Sequence, residues 1–170
     1  MVRKEIVIDS WKAVRLDTAQ AVEDFPAAEL DFKATPDLMT FGELARHILD
    51  AGHALSGMLL DGVDNLATPQ FREMIARYRP KLPERLDPAT LASELRKSIE
   101  TRSAELAAKG DDFFSGLITR LDGQRVTRLE MLQSIKEHEL THRSQMFVYL
   151  RLKGIVPATT RRRQAAQKSA

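Results

Sequence analysis

The chain contains no cysteine. That excludes a disulfide framework, a cysteine nucleophile and any thiolate ligand to a metal. It fits a cytoplasmic protein. No apolar run approaches roughly 18 residues, and the opening "MVRKEIVIDSWK" has no apolar centre, so neither a membrane span nor a signal peptide is expected. No internal repeat is present. Histidine is scarce, with four in 170 residues. What remains is 43% hydrophobic and 29% charged, the balance of a globular chain able to bury one sizeable core.

The formal net charge is +2, but its distribution is uneven. The ending "RRRQAAQKSA" carries Arg161, Arg162, Arg163 and Lys168 and no acid. Without those four the count is 22 basic against 24 acidic residues, so residues 1–160 are net −2. A basic tail can meet nucleic acid or an anionic surface. No aromatic residue interleaves with these charges, so a solvated, frayed terminus is expected instead, with no nucleic-acid or membrane partner. The expected division is a bundle domain over residues 1–157 and a basic tail over 158–170.

Four long helices are expected, with no strand pattern of comparable strength. The first spans about Ser10 to Phe25, with Trp11, Val14, Val22 and Phe25 at helical spacing and Pro26 as the stop. The second opens on a capping box, Thr40 with Glu43, and carries Leu44, Ile48, Ala51, Leu55 and Met58 on one stripe to about Leu60. The third starts with Asp87 as cap and Pro88 at the first position, carries Leu91, Leu95, Ile99 and Leu106, and can stop at a left-handed Gly110. The fourth opens on a second capping box, Thr127 with Glu130, and runs to about Lys153, before Gly154 and Pro157.

About 27 residues separate the second and third helices. Thr68 and Pro69 can start a short helix there, carrying Phe71, Met74, Ile75 and Tyr78. An up-down-up-down bundle needs only short loops, so this length points to a crossover that leaves helices two and three parallel. An up-down bundle with an inserted lid is the alternative. The apolar insertion reads either as a packed connection or as a lid over a pocket.

The stretch "KEHELTHRSQ" places His138 and His142 one turn apart on the fourth helix. They share a stripe with Ile135, Met146 and Tyr149, so both face the interior. Alone, such a pair is a weak metal signal, and buried, hydrogen-bonded neutral imidazoles are the more ordinary reading beside two ligands of a divalent ion. His47 lies at the edge of the apolar stripe of the second helix and also faces inward. Three inward histidines are costly to bury unpaired and are accounted for together if they meet at a metal. His53 falls opposite the stripe and is expected to be exposed and not a ligand. Asp50, one turn after His47, can orient it or make an ordinary surface contact. Glu139 lies between the two histidines of the fourth helix. It is the candidate catalytic proton acceptor, or else an ion-pair partner of Arg143.

These residues resemble the DinB/YfiT-like family of small four-helix metalloproteins. The likeness lies in "DFKATPDLMTFGELARHI" and in "HELTHRSQMFVYLRLKGIVP". One histidine on the second helix and an H-x-x-x-H-R-x-Q run on the fourth match His47, His138, His142, Arg143 and Gln145. Tyr149, Leu150, Arg151, Gly154 and Pro157 match the ending of the fourth helix. Ser144 stands where the family often has glycine. The likeness covers most of residues 10–157 and leaves out the tail. It implies an up-down-down-up bundle, a divalent metal (zinc or nickel) on the three histidines, and a homodimer. It also implies a metal-dependent transferase or isomerase activity that uses a low-molecular-weight thiol.

Three protein ligands leave a fourth position for water or a small-molecule substrate, as in catalytic zinc sites. A thiol there could be activated as thiolate, or water for hydrolysis. Without cysteine, any thiol must come from a cosubstrate. The residues leave open a thiol transferase, a hydrolase and a non-catalytic metal- or ligand-binding stress protein.

Overall fold

The computed structural model of the chain describes residues 3–169; Met1, Val2 and the last tail residue, Ala170, lie outside them. Four long helices make the body: α1 (Lys4–Asp24), α2 (Phe41–Leu60), α4 (Pro88–Ala107) and α6 (Arg128–Leu152). Shorter helices join or follow them: α3 (Phe71–Tyr78), α5 (Asp111–Ser115) and α7 (Ala158–Lys168). The first helix begins six residues before the expected Ser10, because Val7 and Ile8 extend its buried face one turn upstream of Trp11.

Local signals act where the sequence places them. Both capping boxes form: Thr40 and Thr127 each accept the backbone N–H three residues on, and Glu43 and Glu130 bond back to the cap N–H. Asp87 accepts from the Thr90 N–H at 2.9 Å, with Pro88 next. Gly154 is left-handed after α6 (φ +73°). Gly110 is a correction: its φ is −72°, α4 has already ended, and the residue caps α5 instead. The structure adds a two-stranded hairpin to the helices. β1 (Leu117–Thr119) pairs antiparallel with β2 (Arg125–Thr127) around a left-handed Gly123. The dipeptide Asp122-Gly123 is a hairpin signal that would have found it.

Side-chain pairings give the topology. Trp11 meets Glu139 and Asp17 meets Arg143, so α1 and α6 run parallel. Met39 meets Tyr149 and His47 meets His138, so α2 and α6 are antiparallel. His53 meets Ser98, and Gly57 abuts Arg102, so α2 and α4 are parallel. Glu23 meets Arg96 and Lys4 meets Lys109, so α1 and α4 are antiparallel. The order is therefore up-down-down-up, and the long connection from α2 to α4 is the crossover that parallel helices require. Among the described residues no helix is long and apolar enough to cross a membrane.

The apolar core has two parts. One gathers Val22, Phe25, Phe41, Leu44, Leu91 and Tyr149; the other gathers Trp11, Met58, Ile99, Leu106, Leu132 and Ile135. Between them lies a polar level holding Arg15, Thr18, Glu139 and the histidines. Gly52 is required there, since a Cβ on it would sit 2.4 Å from Arg15 Nη2.

The tail differs from the frayed terminus expected of it. Residues Ala158–Lys168 form α7, and its arginines meet acids on α1: Arg161 with Asp24 at 2.8 Å, and Arg162 with Asp17 at 2.6 Å. The acids that order it lie some 140 residues earlier in the chain, where no local pattern could reveal them.

Candidate metal centre

His138 and His142 are carried by α6 at i and i+4, and His47 comes from the antiparallel α2. The three rings form a near-equilateral triangle, with centroids 4.6–4.9 Å apart and interplanar angles of 62°, 76° and 89°. One ligand nitrogen of each lies within 4.8 Å of the others. His47 Nε2 and His138 Nε2 are 3.1 Å apart. A tetrahedral ion at about 2.0–2.1 Å from each nitrogen needs separations of roughly 3.3–3.4 Å, close to the His47–His138 spacing and within the 4.8 Å that bounds all three. A single shared proton would account for the His47–His138 pair but not for the third ring.

The surroundings suit neutral imidazoles, the form whose lone pair can bind a metal. Burial pushes His138 down to about 4, with the neighbouring His142 and His47 adding to the shift. Burial also lowers His47, His142 acts in the same direction, and Asp50 opposes. His142 Nδ1 donates to Gln145 Oε1 at 2.9 Å, which leaves its Nε2 lone pair free. The donor set therefore fits a divalent ion.

Beside the triad lies a cleft of about 960 Å3, walled by α2, α3 and the crossover, with His47 and His138 in its lining. The fourth long helix is held in register by Tyr149, whose hydroxyl donates to the Met39 carbonyl at 2.8 Å, just before α2.

Glu139 is the principal correction. It does not open toward the cleft. Its carboxylate accepts from Trp11 Nε1 (2.8 Å), Arg15 Nε (2.7 Å) and Thr18 Oγ1 (2.9 Å), all on α1, and it is 2% exposed. One residue after His138 is about 100° around the helix, and α1 packs there. Its expected pairing with Arg143 is not made either; Arg143 Nη1 bonds Asp17 at 3.3 Å. Asp50 accepts from Arg46 Nε at 2.9 Å and contributes to the field at His47 without a hydrogen bond to it.

His53 is not exposed as expected. It sits between α2 and α4, with Nδ1 3.0 Å from Ser98 Oγ and Nε2 2.9 Å from Arg102 Nη2. An arginine can only donate, so Nε2 accepts and Nδ1 carries the proton to Ser98. Burial and then Arg102 push its pKa down to about 4. It takes no part in the triad.

Fold and site together define a class: an up-down-down-up four-helix bundle with three histidines converging beside a cleft. The chain belongs to the DinB family, whose model matches residues 1–168, tail helix included. Solved structures share the fold. The DinB-like protein YjoA of Bacillus subtilis is 22% identical, with a TM-score of 0.68, over 87% of this chain and 92% of its own. YfiT of Bacillus subtilis, a probable metal-dependent hydrolase with an unusual four-helix bundle topology, is 18% identical, with a TM-score of 0.70, over 91% of each chain. A mycothiol-dependent maleylpyruvate isomerase is 16% identical, with a TM-score of 0.61, over 83% of this chain and 59% of its own. Among curated proteins, none matches.

Proposed function

We propose that the protein is a metal-dependent transferase joining a low-molecular-weight thiol to a small electrophile. The convergence of His47, His138 and His142 at one edge of a cleft carries this reading. A divalent ion there, zinc or nickel, supplies Lewis acidity that lowers the pKa of a bound thiol or water. The chain supplies the rest. The three imidazoles would hold the ion, and Gln145 sets the tautomer of His142. Since the chain has no cysteine, the thiol is a cosubstrate. The fold shared with a mycothiol-dependent isomerase supports thiol use. A cytoplasmic location and a homodimer belong to the same proposal.

A second reading, metal-dependent hydrolysis, is favoured by the likeness to YfiT. Metal analysis of the purified protein, followed by turnover with a thiol panel against an electrophile and with ester substrates, separates the two. Thiol-dependent turnover that tracks metal content supports the transferase. Ester turnover without thiol supports the hydrolase.

A further inference from the structure

We propose that the cleft takes an amphipathic organic anion, with an apolar body against Ile75 and Leu55 and its acidic end met at the rim, where Arg72, Arg79 and Arg85 stand. This rests on reading the cleft as the substrate site. All three arginines line it, and none has an ion-pair partner among the described residues. Arg72 lies in the first turn of α3, and Arg79, seven residues on, follows the helix directly as its C-terminal cap. Seven residues are about two turns, roughly 10 Å, so the two positions stand at the two ends of one face of α3, with Ile75 near the middle. Arg85 joins them from the loop before α4.

The other charges of the cleft are largely occupied. Arg46 is paired with Asp50 and donates to the Pro83 carbonyl, which ties the crossover to α2. Glu43 is spent in the cap of α2. Asp31 and Glu84 also line the cleft without an ion-pair partner among the described residues, so the unpaired charges there are three arginines against two acids. The floor is apolar, with Ala51, Leu55 and Leu91. Guanidinium forks match oxyanions in a bidentate manner, and apolar surface between them favours an organic acid over a strongly hydrated inorganic anion.

The test compares binding of 4-phenylbutyrate and its neutral amide to metal-loaded full-length protein, by calorimetry or ligand-observed NMR. The carboxylate should bind at least about tenfold tighter. The variant Arg72→Gln/Arg79→Gln/Arg85→Gln should lose that preference, and the corresponding Lys variant should keep part of it. All three positions are exposed, and circular dichroism checks that both variants are folded. His47→Ala should keep the preference, because the arginines and not the metal hold the carboxylate. Equal binding of the two probes, binding of neither, or a preference that survives the Gln variant but vanishes in His47→Ala would each overturn the proposal. Failure of the metal reading shows separately, as absence of metal in the wild-type protein.

Discussion

Arg15 Nε donates to Glu139 Oε1 at 2.7 Å, with both side chains shut away from solvent at 0% and 2% exposure. This pair joins α1 to the helix that carries two of the three histidines. Glu139 is therefore a brace of α6. Glu139→Gln leaves Arg15 charged and uncompensated, and should cost about 3–5 kcal/mol in urea unfolding. Adding Arg15→Met should restore much of that loss. A variant as stable as the wild type would show that the pair does not brace the helix.

Metal content should depend on the triad and on its support. His47→Ala should drop the metal-to-protein ratio far below that of the wild type, measured by inductively coupled plasma mass spectrometry after dialysis. His53→Ala should not. Gln145→Leu, which removes the acceptor of the His142 Nδ1–H, should weaken metal affinity by about 10–100-fold. Equal metal content in wild type and His47→Ala would refute the three-histidine assignment.

Gly52 lies against the same brace. Gly52→Ala would place a Cβ 2.4 Å from Arg15 Nη2 and 3.4 Å from the Trp11 ring. Helix propensity favours alanine by about 1 kcal/mol, yet overpacking should dominate and leave a net loss of about 1–3 kcal/mol. A thermal melt with an unchanged or raised midpoint would contradict this.

Stability should fall as the pH is lowered from about 6.5 toward 4. In the folded protein His53 is neutral, accepting from Arg102, and its pKa is pushed down to about 4. The unfolded chain binds that proton near the ordinary value of 6.5. A depressed histidine thus contributes stability that is complete above about 6.5 and is lost as the pH drops. Solvent reaches the ring, so the slope should stay below roughly 1 kcal/mol per pH unit. His53→Gln should flatten this part of the profile relative to wild type, measured by urea unfolding at pH 7 and pH 5. Identical profiles would rule out the His53 contribution.

The four long helices, the N-caps of α2, α4 and α6 and the three inward histidines were readable in the sequence, because each depends on neighbours within a few turns. Thr40 meets Glu43 and Thr127 meets Glu130 through the backbone of a single turn. The i, i+4 spacing puts His138 and His142 on one face whatever packs against them. The long connection already pointed to parallel α2 and α4. Only the tertiary structure decided which helix lies beside which. That choice turned Glu139 to α1, half-buried His53 against Ser98 and Arg102, and laid the tail helix on Asp17 and Asp24. It also gathered three arginines of the crossover around the cleft. Contacts between residues some 45 to 145 positions apart leave no periodic trace in the chain. They depend on the order of the helices around the bundle, which the hydrophobic pattern of each helix does not encode.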